Sequence, residues 1–189
     1  MHYSPLVRRI LPFLSALILL SASAGYGQQR PSADQALTTA ESEAAAEHKD
    51  IFLVFGASWC PPCHELQAFL EDTVIRPIVQ KHFVIVTLNV FEQKGKHPEL
   101  NTPGAEKLVK EYGGEDGGVP FIVFLDSQAQ PLINSNRPVT GKSHGENVGY
   151  PALPEEIDWF MAMLQKTEPS LTPAETHTIE AWLRKRSQR

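Results

Sequence analysis

Three short apolar runs mark the chain: Ile51-Phe52-Leu53-Val54-Phe55, then Phe83-Val84-Ile85-Val86-Thr87-Leu88-Asn89-Val90, then Phe121-Ile122-Val123-Phe124-Leu125. Each is too short for a buried helix and rich in β-branched or aromatic residues. Runs that stay apolar without alternating are expected of strands covered on both faces. Between them the period changes to helical. Residues 35–48 are alanine-rich and helix-favouring, and Leu66, Phe69, Leu70 and Val74 recur on one helical face. A further helix is expected to open at Thr102 with Pro103 at its first position and to close at Gly113. Strands alternating with helices imply an α/β sheet. Asp126-Ser127-Gln128-Ala129-Gln130 predicts a turn into a short strand at Leu132-Ile133, and residues 134–154 read as a long loop or irregular hairpin. Helix resumes over 155–166, with Ile157, Phe160, Met161 and Leu164 on one face. A capping box at Thr172-Pro173-Ala174-Glu175 starts a last helix, whose apolar side is Ile179, Trp182 and Leu183.

Composition narrows the class. The chain has 189 residues, a one-domain length with room for extensions, and 42% hydrophobic content, enough for a proper core. Its first 24 residues read as a signal peptide: Arg8 and Arg9 are followed by an apolar stretch from Ile10 to Leu20 and by Ala22-Ser23-Ala24 as a cleavage site. That stretch falls short of the roughly 20 residues needed to span a bilayer, so cleavage and soluble export, to the periplasm or beyond the cell, are expected rather than a retained anchor. No cysteine near the cleavage site offers a lipid attachment point. Without Arg8 and Arg9 the 17 basic residues fall to 15 against 22 acidic ones, a net charge of −7 that disfavours nucleic acid as a partner. The basic end, Arg184-Lys185-Arg186 with Arg189, reads as a solvated helix C-terminus.

The chain contains only two cysteines, Cys60 and Cys63, in the segment Trp59-Cys60-Pro61-Pro62-Cys63-His64. A bridge across two intervening residues constrains little of the unfolded chain, so stabilisation is a weak motive for it. Redox or ligand chemistry is the better one. Pro61 and Pro62 are tolerable only in a helix's first turn, which puts the pair at a strand-to-helix junction. There the unpaired N–H groups and the positive end of the helix dipole stabilise a thiolate, which makes Cys60 the expected exposed nucleophile and Cys63 the more buried resolving residue. The two prolines stiffen the loop and remove N–H donors. His64 reads equally as a charge that tunes the site or as an ordinary surface residue. Trp59 is expected to present a flat contact surface.

A hydrophobic strand, a small residue, Trp-Cys-x-x-Cys, a helix and a distant Gly118-Val119-Pro120 before another strand resemble the thioredoxin superfamily over roughly residues 36–166. The resemblance implies a thioredoxin-like α/β fold, with a central mixed sheet flanked by helices. After the signal peptide (1–24) and a flexible lead-in (25–35), it marks out a thioredoxin-like domain (36–166), which leaves a C-terminal helical extension (167–189). It implies a thiol:disulfide oxidoreductase that acts on protein thiols and disulfides and needs no cofactor beyond the Cys60–Cys63 disulfide. A membrane or soluble redox partner and a monomeric state are expected with it. The family's proline in this position is cis and lies against the cysteine pair, so Pro120 takes that role, and Val119 offers its backbone to the partner peptide. Asn147-Val148-Gly149 looks like the family's closing strand. The family's buried aspartate is replaced by Val54, which puts a proton carrier for Cys63 in doubt. Residues 92–101 and 134–146 look like insertions and the helix after Thr172 like an appendage; they read as solvated decoration or as determinants of partner choice.

Other chemistries share the motif. Cys60-Pro61-Pro62-Cys63-His64 is also the haem c attachment pattern, with His64 as axial ligand, but the flanking strands favour a redox sheet. Copper delivery would use both thiolates with His64, His97 or His144. A zinc site lacks a second Cys or His pair at ligand spacing, and no resident metal is expected. A non-catalytic interaction module would leave the cysteine pair without a purpose.

Overall fold

The computed structural model describes residues 30–114 and 118–186. The expected signal peptide lies outside them. Helix α1 (Ala33–Glu47) starts at a capping box: Ser32 Oγ accepts the Gln35 N–H, and Gln35 Oε1 accepts the Ser32 N–H. Its buried face is Ala33, Leu37, Ala40 and Ala44, small enough to lie close on the sheet. Strand β1 (Asp50–Gly56) follows and is buried from Ile51 onward. It runs parallel to β2 (Phe83–Asn89) and antiparallel to β3 (Phe121–Leu125), which pairs with β4 (Pro131–Asn134), giving a mixed sheet of order β2-β1-β3-β4.

Both faces of the sheet are covered, as the unbroken apolar runs require. Phe52, Val54, Ile122 and Phe124 point to one side, where they meet α2 (Pro61–Glu71), α3 (Ile75–His82), α5 (Pro154–Thr167) and α6 (Pro173–Arg186). Ile51, Leu53, Phe55, Phe121, Val123 and Leu125 point to the other, against α1 and α4 (Ala105–Glu111). Helix α6 packs into the first of these cores through Ile179 and Leu183, and its Trp182 stacks edge-on against Phe69 of α2. The expected box is present at its start: Thr172 Oγ1 accepts the Glu175 N–H, and Glu175 Oε2 accepts the Thr172 N–H. Among the described residues no helix is long and apolar enough to cross a membrane.

Three local expectations are corrected. The helix after the cysteines stops at Glu71, and Val74 is 56% exposed instead of lying on its apolar face. The reason is Asp72, whose Oδ1 accepts the N–H groups of Val74 and Ile75 and so starts a separate helix, α3. Helix α4 opens at Ala105 after Gly104 (φ +86), because Thr102 is already engaged: its Oγ1 accepts the Asn89 N–H and its N–H donates to the Asn89 carbonyl. Asn147-Val148-Gly149 adds no strand to the main sheet. Residues 134–154 contain an irregular hairpin of β5 (Asn136–Val139) and β6 (Lys142–Asn147), which forms its own two-stranded sheet.

Candidate active site

β1 delivers the chain at Gly56 to a turn, closed by the Cys60 N–H on the Ala57 carbonyl at 3.2 Å. Cys60 is then the N-cap of α2, and Pro61 and Pro62 fill the first turn, where a missing N–H costs nothing. The Cys63 N–H donates to Cys60 Sγ at 3.2 Å. Cys60 and Cys63 are joined by a disulfide with their Cα atoms 5.3 Å apart. In the reduced state that N–H and the helix N-terminus favour a thiolate at Cys60. Cys60 Sγ lies 3.3 Å from the carbonyl oxygen of Val119, and the Val119–Pro120 peptide bond is cis. The structure thus gathers Trp59, Cys60, Pro61, Pro62, Cys63, His64, Val119 and Pro120 at one end of the sheet.

The relative burial of the cysteines is the reverse of the expectation. In the disulfide form Cys60 is 1% exposed, whereas Cys63 is half-buried. Position on the helix does not decide exposure here: the Val119 segment covers Cys60 Sγ, while Cys63 borders a cleft of about 860 Å³ walled by Val54, Gly56, Leu70, Arg76 and Thr87. A Cβ on Gly56 would sit 3.7 Å from Cys63 Sγ, so the floor of the cleft is close to the sulfur. Val54 contributes an apolar wall and no titratable group.

His64 is exposed, and its Nε2 donates to the Ser58 carbonyl at 2.9 Å, bracing the turn before Cys60. His97 pairs with Glu99 in an exposed loop. Among the described residues no three His, Cys, Asp or Glu side chains are grouped to hold a metal ion.

Residues 92–101 hold more of the site than their polar sequence suggests. Trp59 is 37% exposed; its Nε1–H donates to the Phe91 carbonyl at 2.9 Å, and Lys94 Nζ lies 5.7 Å above its ring. Gly95 backs the indole so closely that a Cβ there would fall 2.5 Å from Trp59 Cδ1. Glu92 accepts the Ser58 N–H at 2.7 Å on one oxygen and the Ser58 hydroxyl at 2.6 Å on the other. From the opposite side, Asn147 Nδ2 donates to the carbonyls of Gly118 and Pro120 at 3.3 and 3.0 Å, and Ser135 Oγ donates to Asn147 Oδ1 at 2.6 Å. Sequence reasoning named none of Ser58, Phe91, Glu92, Gly95, Ser135 or Asn147 as site residues. In sequence an acid in a polar loop is indistinguishable from a solvated one.

A layered α/β sheet with a Cys-x-x-Cys disulfide on a helix N-terminus and an X-Pro segment packed over it defines a class of redox protein. Residues 32–127 match the thioredoxin-like family, and the chain belongs to it. It is 29% identical over 97 residues to a tryparedoxin of Trypanosoma brucei brucei, a match covering 46% of this chain and 67% of that protein. Among solved structures it is similar to a disulphide isomerase from Xylella fastidiosa Temecula1, at 18% identity and a TM-score of 0.48 over 85% of this chain and 95% of the other. It is also similar to the oxidised DsbD C-terminal domain of Neisseria meningitidis, at 27% identity and a TM-score of 0.38 over 55% and 84% of the two chains.

Proposed function

We propose that the protein is a thiol–disulfide oxidoreductase that exchanges electrons with protein disulfides outside the cytoplasm through Cys60 and Cys63. The observation that carries this reading is Cys60 at the N-cap of α2, accepting the Cys63 N–H and bonded to the Cys63 sulfur. The helix terminus makes Cys60 the better-stabilised thiolate, hence both the better attacking species at neutral pH and the better leaving group.

In the reducing direction the Cys60 thiolate attacks one sulfur of a partner disulfide. A Cys60–partner S–S bond forms, the partner's S–S bond breaks, and the partner's other cysteine leaves as a thiolate. Cys63, once deprotonated, attacks the Cys60 sulfur. The Cys60–Cys63 bond forms and the second partner thiolate departs, so two electrons have passed to the partner. The reverse sequence oxidises a dithiol. Since Val54 supplies no carboxylate to accept it, the Cys63 proton passes to water or buffer through the adjoining cleft, which Cys63 lines. Trp59 and the Val119-Pro120 segment flank Cys60 and form the partner-binding surface.

A Cys63→Ser variant is expected to accumulate a mixed disulfide at Cys60 when offered an oxidised protein substrate, and Cys60→Ser to form none there. Both are expected to lose reduction of a model disulfide such as insulin. Wild-type turnover retained in Cys60→Ser would refute the assignment. Export is tested separately, by N-terminal sequencing of the mature protein for a start near Gly25.

A further inference from the structure

Glu92 is the one residue of its exposed loop whose side chain is fully buried, at 0% exposure, followed by exposed Gln93 and Lys94. No lysine, arginine or histidine pairs with it among the described residues; both carboxylate oxygens are occupied by Ser58 alone. The rest of the residue is equally fixed. Its N–H donates to Asn101 Oδ1 at 3.1 Å, and its carbonyl accepts the His97 N–H at 3.1 Å. Phe91, before it, is held at φ +58 with its carbonyl on the Trp59 indole. The loop therefore grips the two residues immediately ahead of Cys60.

The grip alone does not call for a charge. A glutamine could accept the Ser58 N–H with Oε1 and donate to Ser58 Oγ with Nε2, which preserves both bonds. Burying a carboxylate without a cationic partner is costly, so the charge itself calls for a cause. Its effect on the neighbouring sulfur is fixed in sign. A negative charge held on Ser58, two residues before Cys60, disfavours a thiolate at Cys60, opposing the helix terminus that favours it. Destabilising the thiolate destabilises the reduced pair relative to the disulfide.

We infer that Glu92 is a positioning residue whose buried charge holds the Cys60–Cys63 pair toward the reducing end of its range while its two hydrogen bonds fix the turn before Cys60. The inference rests on the redox reading of the cysteine pair. The other polar groups facing this turn are the His64 ring, on the Ser58 carbonyl, and the Lys94 ammonium, above the Trp59 ring, and both remain in the variants below.

The test equilibrates wild type, Glu92→Gln and Glu92→Ala with a glutathione series and counts free thiols by maleimide mass shift. Alkylation rate against pH gives the Cys60 thiol pKa. For Glu92→Gln the equilibrium constant for reduction is expected to rise about tenfold, equivalent to about 30 mV for this two-electron couple, with the thiol pKa falling by about one unit. Glu92→Ala should match that shift and in addition lose tryptophan emission characteristic of the held indole. A folded Glu92→Gln with wild-type equilibrium constant and thiol pKa overturns the inference. Should Glu92→Gln not fold, Glu92→Ala reads the same charge: an equilibrium constant and thiol pKa at the wild-type values overturn the inference. A wild type that cannot be cycled between dithiol and disulfide overturns the functional reading as well. One that cycles normally beside an unshifted Glu92→Gln overturns only the role of the charge.

Discussion

Ser135 stands where the chain leaves β4 for the separate hairpin, and it is 0% exposed. Its Oγ accepts the Ile122 N–H at 2.9 Å and donates to Asn147 Oδ1 at 2.6 Å, so a single hydroxyl links β3 to the side chain that holds the Gly118 and Pro120 carbonyls. Ser135→Ala removes both bonds. Ile122 is fully buried, and leaving its N–H without an acceptor costs about 1–3 kcal/mol. Asn147 Oδ1 keeps the Gly149 N–H at 3.0 Å, so losing its second partner adds only about 0.5–1 kcal/mol. The expected destabilisation is about 1.5–4 kcal/mol, or roughly 3–16 °C in melting temperature for a chain of this length. Urea titration of the oxidised protein should show a lower midpoint at an unchanged slope. Ser42→Ala, on the exposed face of α1, provides the control and should stay within about 0.5 kcal/mol of wild type. Because Asn147 loses one of the bonds that orient its amide under the Gly118 and Pro120 carbonyls, turnover of a protein disulfide should fall as well. A loss below about 0.5 kcal/mol, or a stability loss with full turnover, would refute the coupling of Ser135 to the site.

Further outcomes follow from other contacts. Gly95→Ala places a methyl group 2.5 Å from Trp59 Cδ1, so the indole must leave its bond to the Phe91 carbonyl. A several-fold rise in KM for a protein disulfide is expected, with the reactivity of Cys60 toward a small disulfide largely retained. Asp50, at the far end of β1, has its carboxyl pushed up to about 6 by burial first and then by the nearby Glu168 and Asp126. In the unfolded chain the same group titrates near 3.8. Between about pH 4 and pH 6 the folded protein therefore holds more protons, and stability falls as pH rises through that window. Asp50→Asn should flatten that fall, giving a urea midpoint above wild type at pH 7 and a difference that disappears below about pH 4.

The layered fold was legible because its signals are local and repeated. Phe121–Leu125 is strand and α6 opens at its capping box where the sequence predicts. Unbroken apolar runs such as Ile51–Phe55 have to be covered on both faces, and a proline pair after a cysteine has to fall in a helix's first turn. Boundaries failed where one side chain chose between two partners: Asp72 captured the next two N–H groups and split a helix, and Thr102 bonded Asn89 instead of capping α4.

Within the site the sequence determined the chemistry: two cysteines, two residues apart, at the start of a helix whose terminal N–H groups favour a thiolate. Only the tertiary structure decided which sulfur is covered, because covering Cys60 is the work of Val119, 59 positions away. It also decided that Glu92 is buried against Ser58, 34 positions away, instead of solvated in its loop. Burial and charge environment depend on what the fold brings near a residue, and for these groups the deciding neighbours are distant in the chain.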